Sequence, residues 1–163
     1  MEMASITAVL HTENDALRLG RALETVYPCD HILVIDYGSQ DATVRVAREY
    51  GAKVIDATPG LLSQDYLQFA QAEWVLSLEP YESLTEKLAA SLFEWKSEGA
   101  HRKIRAPAFS LFIREETADG WIEIPIAETR LVPRDWNRWQ GRHPVTDPSA
   151  LALEGELLRF KLP

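Results

Sequence analysis

One cysteine, Cys29, stands in a chain of 163 residues, so no intrachain disulfide can form and a reducing compartment is the simpler expectation. No run of about 18 apolar residues occurs, which leaves no candidate for a membrane-spanning helix. An export signal is not expected either. Met1-Glu2-Met3-Ala4 has an acid where such a signal carries Lys or Arg, and His11 interrupts the apolar stretch that follows. Positive charge is also short: the net charge of -8 argues against a broad surface for nucleic acid or anionic lipid. A Gly-x-Gly-x-x-Gly turn and a P-loop are both missing, and so are repeats and low-complexity tracts. What remains is a cytoplasmic, globular chain, long enough for one domain with a real core.

The first half alternates short apolar runs with helical patterns. Ser5 to Leu10, His31 to Ile35, Ala52 to Ile55 and Trp74 to Leu78 read as strands buried on both faces, because Val, Ile and Leu fill them without alternation. Between them, Ala16, Leu19, Leu23 and Val26 form one apolar helical stripe behind an Asn14 cap, ended by Pro28. Asp41 opens a second helix that Gly51 ends. A third is expected over Leu61 to Ala72, and a fourth from the capping-box pair Ser83 and Glu86 to about Lys96. Strand–helix–strand units of this length imply parallel strands with right-handed crossovers, and in such sheets ligands bind at the carboxyl ends of the strands. The second half reads as short strands at Lys103 to Arg114, Trp121 to Ile126 and Glu128 to Val132, with a turn at Asp119-Gly120. From Pro133 onward the pattern assigns no element. One domain, 1–163, is expected, with a βαβ half over 1–98 and a shortened second half over 99–163.

The strongest local signal is Ile35-Asp36-Tyr37-Gly38-Ser39-Gln40-Asp41, a buried strand ending in an aspartate before a Gly-Ser turn. Asp36 is placed to accept a hydrogen bond from a nucleotide's base or ribose, and Gly38 lets backbone approach a ligand. The plainer alternative is that Asp36 ends the strand and Asp41 caps the next helix. For Thr12 and Asp15 the plain reading is helix capping.

Taken in order, His11-Thr12-Glu13-Asn14-Asp15, then Asp36-Tyr37-Gly38-Ser39-Gln40-Asp41-Ala42-Thr43, then Gly51-Ala52-Lys53-Val54, this third of the chain resembles the start of a family 2 glycosyltransferase with the GT-A fold. The closest flavour is the small lipopolysaccharide-core glucosyltransferase-like members. The resemblance implies an α/β, GT-A-like sandwich with a mostly parallel central sheet and a short C-terminal β appendage, its 1–98 half binding nucleotide and its 99–163 half facing the acceptor. It also implies a nucleoside diphosphate sugar, UDP-linked, as donor. Thr12, Asp15, Asp36, Gly38 and Ser39 would form the nucleotide site, and a glycan or lipid-linked molecule would be the acceptor. Peripheral membrane contact stays open.

Three departures touch that site. After the fourth strand the family carries Leu-Asp-Ala-Asp-Glu, whose carboxylates hold Mn or Mg against the diphosphate; here Leu78-Glu79-Pro80-Tyr81-Glu82 stands instead, a degenerate form. A neutral phenol is a poor ligand for a hard cation, so only Glu79 and Glu82 remain as candidate metal ligands. Near the C-terminus the family's Gly-x-x-His-Glu is matched by Gly141-Arg142-His143-Pro144, which leaves His143 as the candidate base. The helix before the fourth strand has Gln64-Asp65-Tyr66 where the family has Gln-Arg-Asn. Arg134, Arg138 and Arg142 with Trp136 and Trp139 form the basic-aromatic cluster; Arg134, Arg138 and Trp136 could grip a phosphorylated or lipid-linked acceptor, or the tryptophans could close the core. Two hypotheses follow: an active transferase, or a catalytically silent GT-A domain that binds nucleotide or glycan.

Overall fold

The computed structural model describes residues 3–97 and 106–162. The first half follows the expected alternation: β1 (Ile6–Thr12), α1 (Ala16–Leu23), β2 (His31–Asp36), α2 (Thr43–Glu49), β3 (Lys53–Asp56), a 3-10 segment (Ser63–Phe69) and β4 (Trp74–Leu78). Then come β5 (Glu82–Leu84), α3 (Glu86–Ser97), β6 (Phe109–Thr117), β7 (Gly120–Glu123), β8 (Glu128–Pro133), β9 (Trp139–Gln140), β10 (His143–Pro144) and β11 (Leu151–Arg159).

One sheet runs β3-β2-β1-β4-β8-β6-β11-β5, with β7 beside β6. The β3-β2-β1-β4 stretch is parallel throughout, while β8 is antiparallel to β4 and to β6. The two halves of the chain therefore share one hydrogen-bonded ladder. The chain leaves β1 toward β2 and β3, then returns to the other side of β1 as β4. That reversal makes the carboxyl ends of β1 and β4 the switch point whose crevice takes ligands in open α/β sheets.

Every residue of β1 is buried. On one face Ile6, Ala8 and Leu10 meet Leu19 and Leu23 of α1, Ala47 of α2 and Leu88, Leu92 and Trp95 of α3. On the other, Val9, Leu33, Ile35, Val75 and Val132 are covered by Tyr66 and Leu67 of the 3-10 segment, with Trp136 and Trp139 packed alongside. All three α-helices of the described residues lie on the first of these faces.

Several local expectations are corrected. The segment expected as a helix over Leu61 to Ala72 is the 3-10 turn, because Tyr66 is anchored at both ends of Thr58: its hydroxyl accepts from the Thr58 N–H at 2.8 Å and donates to the Thr58 carbonyl at 3.2 Å. Asn14 does not cap α1. It takes a left-handed φ of 53°, which Asn tolerates, and Asp15 occupies the cap position. The α3 cap is Thr85, whose Oγ1 accepts from the Leu88 N–H at 3.3 Å, while Ser83 lies inside β5. The start of the expected Lys103 to Arg114 strand falls outside the described residues.

The unassigned C-terminal stretch contains β11, which enters the sheet between β6 and β5. Its sequence hides it: Glu154, Gly155 and Glu156 break any alternation, and Leu157 is its one fully buried side chain. Gly155 makes the insertion possible. Its φ is +95°, and a Cβ there would stand 2.4 Å from the Leu88 backbone nitrogen, so α3 crosses β11 with no side chain between.

Candidate functional site

The parallel register sets Thr12 beside Asp36 at the ends of β1 and β2. The Asp36 carboxylate, 2% exposed, accepts from the Thr12 hydroxyl at 2.7 Å, the Ser39 hydroxyl at 2.6 Å and the Ser39 N–H at 2.8 Å. Three of its roughly four acceptor positions are thus taken by the chain. Asp36 sits at the predicted strand end and builds the loop through these contacts, with one acceptor position on Oδ2 left over. Gly38, with φ +75°, turns that loop. The Asn14 N–H donates to the Ser39 hydroxyl at 2.9 Å, and the Asn14 side-chain oxygen accepts from the Gln40 N–H at 2.8 Å. Asp15 is buried, accepting from the Glu13 N–H at 2.8 Å and from Arg18 at 2.7 Å. Thr12, Asp15, Asp36, Gly38 and Ser39 therefore do come together, as two loops stitched into one rigid rim.

The ring next to Asp36 faces outward instead. Tyr37, Ala57, Thr58, Pro59, Gly60, Leu61 and Tyr66 line a hollow of 330 Å³ beyond β2 and β3. Behind it, His11 Nδ1 lies 2.8 Å from the Tyr37 hydroxyl, and the His11 ring meets Tyr66 edge-on at 6.1 Å. Burial, followed by the nearby Arg142 charge, lowers the His11 pKa to about 4, so the imidazole is neutral at pH 7. Arg142 places its guanidinium 4.8 Å from the centre of the Tyr37 ring. Burial raises the Tyr37 pKa, with Arg142 opposing it, and the phenol stays protonated. His11, Tyr37 and Tyr66 are site residues that the motif reading passed over; the signal available was the position of Tyr37 inside the Asp-x-Gly-Ser turn.

At the β4 end the carboxylates are committed. Glu82 is fully buried. Its Oε1 accepts from Arg130 Nη1 and from the Glu79 N–H, both at 2.8 Å; Oε2 accepts from Arg130 Nη2 at 2.9 Å and Arg159 Nε at 3.1 Å. Burial alone would raise the Glu82 pKa, but the Arg130 charge and hydrogen bonds outweigh it and hold the carboxylate below its usual range. Glu79 Oε1 lies 2.7 Å from His143 Nε2, and His143 Nδ1 lies 2.7 Å from the Ser77 hydroxyl. Tyr81 is half-buried, with its pKa raised by burial and then by Glu79 and Glu82. Arg18 and Lys161 stand 5.0 and 5.9 Å from its ring.

Two expectations change here. Glu82 is corrected from metal ligand to ion-pair anchor, since both its oxygens are filled. No group of three or more His, Cys, Asp or Glu able to hold a metal occurs among the described residues. The residues present do not fit an Mn or Mg site of the kind the resemblance implied. His143 has both ring nitrogens engaged, so it offers no lone pair to an acceptor hydroxyl; it holds Glu79 in place.

Over 91 residues the chain is 35% identical to an uncharacterized glycosyltransferase of Rickettsia felis, a match covering 53% of this chain and 32% of that protein. A counterpart in Rickettsia typhi is 34% identical over 91 residues, covering 53% and 31%. The chain thus spans about a third of the length of the curated relatives it matches. No family model matches. Among solved structures, S. aureus TarS superposes with a TM-score of 0.55 at 14% identity, over 80% of this chain and 28% of that one. The TarS 1-349 structure gives 0.50 at 16% identity, over 75% and 38%. The fold is GT-A-like. Similarity in sequence to proteins named glycosyltransferase and a GT-A-like fold point to the same superfamily.

In this GT-A-like frame the basic-aromatic cluster divides. Arg134 Nη1 donates to the Ala70 carbonyl at 3.0 Å. Arg138 lies over Trp136 at 4.5 Å and pairs with Asp147, while the indole N–H of Trp136 donates to the Arg138 carbonyl at 3.1 Å. Trp136 and Trp139 close the second core cluster. Arg134, Arg138 and Trp136 thus knit the β8–β9 connection, and Arg142 is the member of the cluster that reaches the strand ends. No helix of the described residues is long and apolar enough to cross a membrane.

Proposed function

We propose that this chain is a glycosyltransferase domain that moves a sugar from a nucleoside diphosphate donor, UDP-linked, to a glycan or lipid-linked acceptor, of the family 2, lipopolysaccharide-core glucosyltransferase-like kind. The observation that carries the reading is the joined rim of Thr12, Asp15, Asp36 and Ser39 at the carboxyl ends of β1 and β2, beside a hollow walled by Tyr37 and Tyr66. In this reading Asp36 fixes the loop, the base enters the hollow against Tyr37, and the ribose lies along the Thr12–Gly38–Ser39 turn. Glu79, whose Oε2 makes no hydrogen bond among the described residues, faces the acceptor as general base, and His143 orients it. Arg134, Arg138 and Trp136 then serve the acceptor-side half by holding its connection rather than by touching the acceptor. The proposed compartment is the cytoplasm, in keeping with the single thiol, Cys29, whose pKa burial pushes up to about 12.

Melting curves with UDP, GDP, CDP and dTDP, with and without manganese, test this reading. A ligand at a hundred times its dissociation constant adds about 2.7 kcal/mol, which for a chain of this length is roughly 5–10 °C. No shift with any nucleotide overturns it. Binding without donor hydrolysis or transfer would leave the silent binding module.

A further inference from the structure

We infer that the site takes its diphosphate without a divalent cation, and that Arg142 supplies the charge a metal would bring. The inference rests on the donor reading above, though its chemistry, an arginine on a diphosphate, is independent of the base. The β4 end offers no carboxylate pair for a metal: Glu82 is closed by Arg130 and Arg159, Glu79 is held by His143, and Tyr81 brings a neutral phenol. A cation that took Glu82 as a second carboxylate beside Glu79 would have to strip it from two guanidinium groups in the protein interior. Such a rearrangement leaves buried charges unpaired.

Arg142 differs from the other cations near this end. Arg18 is paired with Asp15, Lys161 with Glu115, and Arg159 with Glu82, Glu115 and Glu128. Arg142 is exposed, has no carboxylate partner among the described residues, and rests its guanidinium on Tyr37 at the edge of the hollow. Gly141, with φ +62°, bends the chain so that Arg142 and His143 bracket the crevice, Arg142 toward β2 and His143 toward β4. The neutral His11 below adds no charge of its own, and of the charges that act on it Arg142 is the strongest, ahead of the opposing Glu79. A guanidinium binds two phosphate oxygens at once through parallel N–H bonds, which an ammonium does not.

Titration calorimetry on the full chain in EDTA, with inorganic pyrophosphate and with UDP, tests the inference. Both should bind, and added manganese should change either affinity by less than about twofold. Arg142→Ala, an exposed substitution, should weaken pyrophosphate at least tenfold, with Arg142→Lys in between. Manganese alone, followed by electron paramagnetic resonance, should not bind with a stoichiometry lost in Glu79→Gln. The inference is overturned by binding that requires manganese, by unchanged pyrophosphate affinity in Arg142→Ala, or by no binding of either probe in EDTA. UDP binding only with manganese would sink it and keep the donor reading. Pyrophosphate binding without any nucleotide binding would do the reverse.

Discussion

Removing Arg130 gives the sharpest test of how the β4 end is built. Its side chain is 1% exposed, and Nη1 donates to Glu82 Oε1 and to the Ser77 carbonyl, each at 2.8 Å. Nη2 reaches Glu82 Oε2 at 2.9 Å and Glu128 Oε1 at 3.1 Å. Arg130→Met deletes all of these and leaves the buried Glu82 carboxylate with Arg159 as its remaining cation. Breaking a buried ion pair from one side costs about 3–5 kcal/mol, because the surviving charge stays desolvated. For a chain of this length, that lowers the melting temperature by roughly 6–20 °C. Glu82→Gln in the same background removes the stranded charge while keeping an acceptor for the Glu79 N–H. The double variant should therefore recover about 1.5–3 kcal/mol relative to the sum of the two single losses. Urea unfolding followed by tryptophan fluorescence measures each term. An Arg130→Met loss below about 1 kcal/mol, or strictly additive losses, would refute the view that this network is a closed ionic unit.

The acid side of the stability curve should carry a His11 component. Its folded pKa is depressed from 6.5 to about 4, so its contribution is full above pH 6.5 and falls as pH drops toward 4. Between pH 7 and pH 4.5, wild type should lose about 2–3 kcal/mol more than His11→Gln in urea unfolding, and equal losses would show that the imidazole does not resist protonation. Gly155→Ala should destabilise by roughly 2–5 kcal/mol, since it adds backbone strain at φ +95° to a contact 2.4 Å from the Leu88 nitrogen; an unchanged melting temperature would mean α3 can shift off β11.

The sequence by itself determined the parallel half of the fold. Apolar runs ending at Leu10, Ile35 and Leu78 are buried at their carboxyl ends, and local hydrophobic patterning is sufficient information when the side chains of a strand point into core. The run ending at Ile55 was expected to be buried on both faces, but as the edge strand β3 it is only half-buried. The sequence also marked the carboxyl end of β2, because Asp36 and the Gly38-Ser39 turn close the strand through short-range geometry. Tertiary structure decided everything that depended on a partner distant in the chain. β11 is a strand because β6 and β5 flank it, and its own residues, broken by Glu154 and Glu156, do not say so. Glu82 reads as a free acid until Arg130 and Arg159, 48 and 77 residues away, fold onto it. That Asp36 also ties the β1 and β2 loops together shows only when Thr12 and Ser39 close on its oxygens. A carboxylate's chemistry is set by what neutralises it, and for these buried groups that neighbour is assigned by the packing of the whole sheet.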